Sequence, residues 1–379
     1  MLAIAAGGGL AGAAFALEVV RCGGRAMIVE KSAGPHHKVC GEFLSENAAL
    51  LLGHLGVDCD RLGCSKVETL RLADGASQVT APLPFQGRGL SRFRLDEALL
   101  IAAQAAGVEV LRATVVEGIA EDAAGARVHT TGGEFRGTAV ALASGKHNVR
   151  GFSRPGGPLV GFKTHVNPSA AARQSMSGIV QLHAFPGGYG GFCLVEDGML
   201  SIAWNIHSDV LRSVGTSWAA QSAYLARNSP VFGELIDGAE AAWSKPLAVS
   251  GQPYGFLRSK PVGPSIYPVG DQLAVIPSFV GDGTALALAS GIAAARAVLS
   301  NESAPEFQRR IVQGSKPQFR IASALDFTIS HAPLRKLALA GARIAPAIVT
   351  SLVAVSRLRG YDDVIASARK SCQRSSAIM

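Results

Sequence analysis

The six cysteines of this 379-residue chain form no CxxC pair. That spacing argues against a structural zinc site, and no metal is expected. A long clean apolar run is also missing. The best stretch, residues 337–355, is broken by Arg343 and Pro346. Burying Arg343 at mid-bilayer would cost roughly 2.5–3.5 kcal/mol, and the proline would kink a spanning helix. The stretch therefore reads as a packed C-terminal helix pair, with peripheral contact at a membrane surface as the alternative. The net charge of +8 has one local concentration, from Arg335 to Lys370, and it lacks interleaved aromatics. Without base-stacking platforms, nucleic acid is not an expected partner, and the charge reads as a solvated surface. No internal repeat or low-complexity segment occurs. Leu2–Ala6 already reads as the first strand, leaving no room for a leader, so the expected compartment is the reducing cytoplasm with free thiols.

What the chain has in abundance is glycine, 44 residues, much of it at turns. Gly7, Gly9 and Gly12 match GxGxxG between a short buried strand and a helix, Leu10–Arg21. Arg25–Glu30 follows as a second buried strand, completing a βαβ unit. Gly7 permits the tight turn, Gly9 lets a pyrophosphate approach, and Gly12 lets helix and strand pack closely. The helix start at Leu10 and Ala11 presents free N–H groups to phosphate. Glu30 stands 21 positions after Gly9 and suits ribose hydroxyls while repelling a 2′-phosphate. Lys31 lies beside it. An adenosine diphosphate moiety, as in FAD or NAD, fits these residues.

A second glycine-rich segment favours FAD. Gly270-Asp271 follows a strand-like segment, and Asp271 suits ribityl hydroxyls. Pro277 would sit beside a ring, and Gly281-Asp282-Gly283-Thr284 opens a long helix ending near Leu299. The positive end of that helix would stabilise an anionic reduced flavin. Between these parts the pattern changes. Residues 161–167, 178–184, 191–195 and 200–206 read as strands of a β-rich insertion. The expected architecture is α/β: a Rossmann-like FAD-binding domain from residues 1–66, 91–150 and 262–330. A substrate domain takes 67–90 and 151–261, and a helical segment takes 331–379.

Five segments carry a resemblance. They are GGGLAG; KVCGEFLS at Lys38–Ser45; LSRFRLD at Leu90–Asp96; ASGKH at Ala143–His147; and GDQLAVIPSFVGDGTALALASG from Gly270. The chain resembles the FAD-dependent oxidoreductases that include aromatic-hydroxylase-type flavin monooxygenases and geranylgeranyl reductases. The resemblance implies a glutathione-reductase-like FAD domain. It places Arg92 near the FAD linkage, Val115 near the adenine, and Asp271 on the ribityl chain. Cys40, Gly41 and Glu42 would border the flavin ring, and Ser144 and Gly145 join the cofactor set. Only one GxGxxG occurs, so NAD(P)H would bind transiently as reductant. Ser45 stands where disulfide-reductase-type enzymes carry the second cysteine of CxxxxC. None of Trp204, Trp218 and Trp243 lies in the WxWxIP arrangement of tryptophan halogenases, which disfavours halogenation.

The resemblance thus implies a monooxygenase. Its reduced flavin would meet O2, form a C4a-(hydro)peroxide and hydroxylate an aromatic or lipophilic substrate. Alkene reduction of the geranylgeranyl type is the enzymatic alternative, and a flavin-binding partner protein without turnover is the other. Phe185, Tyr189, Phe192 and Phe279 are expected to line an apolar pocket. Lys163 and His165 alternate on one strand and either face that pocket or a solvated strand face, with His165 as an acid or base. Tyr189 and Cys40 complete the candidate catalytic set. Cys40 is a reactive thiol or a packing residue beside the ring.

Overall fold

The structure, a computed structural model, describes residues 2–122 and 125–376. Five short parallel strands form the first sheet, in the order Ile266–Pro268, Ala139–Leu142, Leu2–Ala6, Arg25–Val29 and Glu109–Leu111. The central strands are apolar throughout because both faces are covered. Ala3, Ala5 and Ile28 pack into the helical layer, whereas Ile4, Ala6, Met27 and Val29 pack into the other. That second layer is a three-stranded antiparallel meander of Val116–Asp122, Gly125–Thr130 and Gly133–Gly137.

Glycine sets the spacing of the helical layer. A Cβ on Gly12 would lie 1.9 Å from the Gly7 carbonyl oxygen, so the first helix and its preceding strand touch backbone to backbone. A Cβ on Gly291 would lie 2.2 Å from the carbonyl oxygen of Ala11. Helices Leu10–Arg21 and Gly283–Leu299, far apart in sequence, therefore lie against each other and begin on the same side of the sheet.

The second sheet is larger. Strands Leu159–Asn167, Leu200–His207, Gly188–Leu194 and Gly178–Phe185 run antiparallel in that order. Ser65–Asp74 joins parallel to Gly178–Phe185, and Ser77–Gly89 returns against it. This last strand runs through Pro82 and Pro84 without a break. It continues to Gly89 because Pro82 and Pro84 lie where the strand is an edge and needs few donors. Helix Pro346–Val355 covers that edge, with Thr350 donating to the Pro82 carbonyl at 2.8 Å.

The C-terminal part opens with Ala304–Ser330, which starts at a Ser303/Glu306 capping box. Helices Ala332–Ile344 and Pro346–Val355 follow, bent 112° apart. The break falls at Pro346, which takes the first position of the second helix. Asp362–Ser376 then packs on Glu46–His54 and Gly283–Leu299. Among the described residues no single helix is long and apolar enough to cross a membrane.

The α/β expectation and the FAD-type architecture match this arrangement. The helix contact at Gly291 gives a direct check. Gly291→Ala should cost roughly 1–3 kcal/mol, as overpacking does, and the loss should appear as a lowered melting temperature in thermal denaturation.

Candidate active site

One cavity of about 1090 Å3 runs between the two sheets. Sites for single ligands span roughly 300–1,000 Å3, so this one has room for a nucleotide cofactor and a substrate together.

Its two ends differ in chemistry. At one end lie Gly7, Gly9, Leu10, Ala11, Glu30, Lys31, Arg92, Val115, Ser144, Gly145 and Asp271. In the middle lie Cys40, Gly41, Glu42, Gly281, Gly283 and Thr284. The far end is aliphatic, with Leu70, Leu72, Val180 and Leu182 facing Leu339, Val349 and Val353. The two distant glycine segments thus meet in one space. Gly12 and Pro277 do not line it. Gly12 is spent on packing against Gly7, and Pro277 is buried behind the Ser278–Val280 turn. Asp282 does not line it either. Its carboxylate points into the protein and accepts from Ser45 Oγ at 2.7 Å and Gln318 Nε2 at 3.2 Å, with Arg357 at 3.7 Å.

The polar end fits a dinucleotide. Six helices begin on a serine that caps the first turn: Ser45, Ser91, Ser169, Ser217, Ser229 and Ser303. The two helices that begin at the cavity make no side-chain cap and carry no acidic residue in the first turn. Their first N–H groups and positive dipole ends remain open to an anionic ligand. In front of Gly9, an added Cβ would meet only Lys38 Nζ at 3.5 Å and Arg92 Nη2 at 3.8 Å. Both cations are held by Asp96, at 2.6 Å from Lys38 and 2.5 Å from Arg92 Nε. Burial would raise the Asp96 carboxyl, but Arg92 and Lys38 hold it down at about 2. Glu30 is partly committed already: it accepts from Gly8 N at 2.8 Å and Ser32 N at 2.9 Å.

The middle of the cavity is organised by Glu42. This buried residue adopts φ +60°, outside the usual range for a side chain with a Cβ. Its Oε1 accepts from Arg92 N at 2.7 Å and from Lys163 Nζ, and its Oε2 pairs with His165 Nε2 at 2.6 Å. Burial would raise its pKa. The His165 hydrogen bond and the Lys163 charge outweigh this and hold it at about 2. His37 stacks on Phe93 at 4.9 Å and lies tilted against Trp243 at 4.5 Å, and burial lowers it to about 4.

Lys163 and His165 are in register with Ala203 and Ser201, so they share the sheet face that carries the cavity residues Ala203 and Asn205. Glu42 nevertheless seals them from the cavity, and neither lines it. They act through Glu42 as positioning residues. His37, Glu42 and His165 place ligating atoms within 4.8 Å of one another. The Lys163 ammonium already sits on that carboxylate, and a metal ion would have to displace it.

Of the expected aromatic lining, Tyr189, Phe192 and Phe279 reach the cavity and Phe185 does not. Alternation on Gly178–Phe185 turns Val180, Leu182 and Ala184 inward and Phe185 away, edge-on to Tyr224. Tyr189 joins a cluster that sequence reasoning missed. Its hydroxyl lies 2.5 Å from that of Tyr254, 3.1 Å from Asn205 Nδ2, and in hydrogen-bond contact with Ser278. Burial raises Tyr189 to about 12 and raises Tyr254 as well, so both keep their protons at neutral pH. Asp326, itself raised by burial, is close enough to influence Tyr254 electrostatically. The partners lie 16 to 89 positions away from Tyr189, and no local spacing could have joined them.

No protein-family profile and no curated protein matches the chain. Solved structures do. The flavin-dependent brominase Bmp2 is 17% identical with a TM-score of 0.77, and the match covers 100% of this chain and 99% of that one. A flavoprotein/dehydrogenase from Cytophaga hutchinsonii is 16% identical with a TM-score of 0.79, covering 98% of each chain. PqsL, described as a probable FAD-dependent monooxygenase from Pseudomonas aeruginosa, is 16% identical with a TM-score of 0.69, covering 88% of this chain and 97% of that one. These likenesses establish a fold shared with those flavin-dependent proteins.

Glu42→Gln should leave Lys163 buried without its counter-charge and cost about 3–5 kcal/mol. The pH dependence tests the same cluster. A carboxyl depressed from 4.5 to about 2 stabilises fully above its unfolded value and loses that contribution as pH falls through the folded one. Melting curves from neutral pH to pH 3 should therefore show a steeper acid decline in the parent protein than in Glu42→Gln.

Proposed function

We propose that this protein is an FAD-dependent monooxygenase that hydroxylates a lipophilic or aromatic small molecule, with NAD(P)H as transient reductant and O2 as co-substrate. One observation carries the reading: two uncapped helix starts and a cationic pair share a single cavity with a long aliphatic chamber. The first helix, Gly9, Lys38 and Arg92 would hold the pyrophosphate, and Glu30 the ribose. Asp271 would hold the ribityl chain, while Cys40, Gly41, Gly281 and Gly283 would border the ring. When bound, the flavin supplies the two-electron chemistry. The protein orients it, favours its anionic reduced form through the Gly283–Thr284 helix start, and excludes water with aliphatic walls.

A second reading, alkene reduction, is favoured by the Tyr189–Tyr254–Ser278–Asn205 cluster. Saturating a double bond needs a proton as well as a hydride. Tyr189 and Tyr254 are protonated donors at neutral pH and both line the cavity. Because the shared fold also serves the brominase Bmp2, halide is included in the test.

The holoprotein should be reduced and supplied with 18O2, bromide and a panel of aromatic and isoprenoid compounds, with products read by mass spectrometry. A product carrying one 18O supports hydroxylation. A product gaining two hydrogens without O2 uptake moves the assignment to alkene reduction, and a brominated product overturns both. Protein that cannot be loaded with FAD overturns the cofactor assignment. In the alkene-reduction case, Tyr254→Phe should lower product formation by roughly 10²-fold or more with flavin reduction intact.

A further inference from the structure

The helix pair Ala332–Ile344 and Pro346–Val355 does two things at once. Its inner side, with Leu339, Ala342, Val349 and Val353, walls the aliphatic chamber. Its outer side exposes large apolar side chains: Leu337 at 71%, Ile344 at 88%, Ile348 at 53% and Leu352 at 40%. Ile344 stands at the vertex of the 112° bend and is the most exposed large hydrophobe among the described residues. A contiguous apolar face of this kind marks an interaction surface.

Charge says what kind of surface. No Asp or Glu occurs from residue 327 to 361, while Arg335, Lys336, Arg343, Arg357 and Arg359 fall in that stretch. Arg335 is taken by Asp74 at 2.9 Å and Arg357 lies against Asp282. Lys336, Arg343 and Arg359 are exposed beside the apolar face. A second copy docked by the same face would set these cations against each other with no acidic partner between them. An anionic lipid surface complements them and takes the apolar side chains as well.

Geometry limits how the pair would engage. At about 1.5 Å per residue its 13- and 10-residue helices measure roughly 20 and 15 Å, short of the roughly 30 Å hydrocarbon core. We propose that this bent pair docks the protein on the surface of an anionic bilayer, with the Ile344 vertex inserted to interfacial depth. Ile348 and Leu352 are both exposed and part of the chamber wall, so the docked face adjoins the chamber. Delivery of a lipophilic substrate from the bilayer would follow if the proposed function holds. The docking itself does not depend on it.

The test is co-sedimentation of the flavin-loaded full chain with phosphatidylcholine vesicles, with and without phosphatidylglycerol. Binding should require phosphatidylglycerol and weaken with salt. Leu337→Asp with Ile344→Asp should reduce partition by about tenfold or more, given the apolar area removed. Lys336→Glu with Arg343→Glu should abolish the preference for phosphatidylglycerol. These four residues lie outside the cavity wall, so retained flavin and an unchanged circular-dichroism spectrum show that the variants fold. Three outcomes overturn the proposal: no vesicle binding, binding unaffected by either pair, or a dimer in light scattering that the same substitutions dissociate.

Discussion

The buried carboxylate of Glu42 holds the two halves of this molecule in register. It lies in a short segment between the two sheets and binds groups from both sides. The Arg92 N–H at 2.7 Å belongs to the helix that reaches the polar end of the cavity. Lys163 and His165 belong to the large antiparallel sheet. Taking a carboxylate and an ammonium out of water costs several kcal/mol each. The φ of +60° at Glu42 adds roughly 1–3 kcal/mol of strain. Such costs persist only where the surroundings over-determine the conformation, and here three donors on two oxygens do so. The consequence is positional. Cys40 and Gly41, which border the middle of the cavity, are tethered to both sheets through the next residue.

The same economy governs the helix starts. Most surface helices here spend a serine on their first turn. The two at the cavity leave theirs open, although each open N–H would otherwise want a partner. Glycine is what lets both helices reach the site. With Gly12 and Gly291 the backbones touch, and larger residues would push the helices apart and separate the two glycine loops. Packing in the core thus sets the distance between loops that are nearly the whole FAD-type domain apart in sequence.

The parts of the site written in local spacing were legible. The GxGxxG between a strand and a helix, the acidic residue after the second strand, and the Gly281–Thr284 helix start have fixed offsets, and from them Gly7, Gly9, Glu30, Gly281, Gly283 and Thr284 line one cavity. Several expectations failed, most of them for reasons local pattern cannot supply. Asp282 looked like a ligand residue, but Ser45, Gln318 and Arg357, all distant in sequence, draw it inward. Phe185 follows the strand period away from the cavity. Lys163 and His165 lie on the cavity-side sheet face, neither open to the cavity nor solvated, because a residue some 120 positions earlier covers them. The tyrosine cluster was invisible because it gathers two substrate-sheet strands, two loops and a helix.

The aliphatic chamber and the hydroxyl cluster together constrain the chemistry more than either does alone. A dry chamber protects reactive oxygen species from water and selects apolar substrates. It also makes any buried polar group costly unless it is paired. Tyr189, Tyr254, Ser278 and Asn205 satisfy one another, so the cluster can sit in that wall without water. It lies where the large sheet meets the Ser278–Val280 turn. A substrate reaching the ring from the aliphatic end would meet it at its leading polar or unsaturated group. Under the proposed function, the chamber would select which molecules enter, and the hydroxyls would select which end of the molecule reacts.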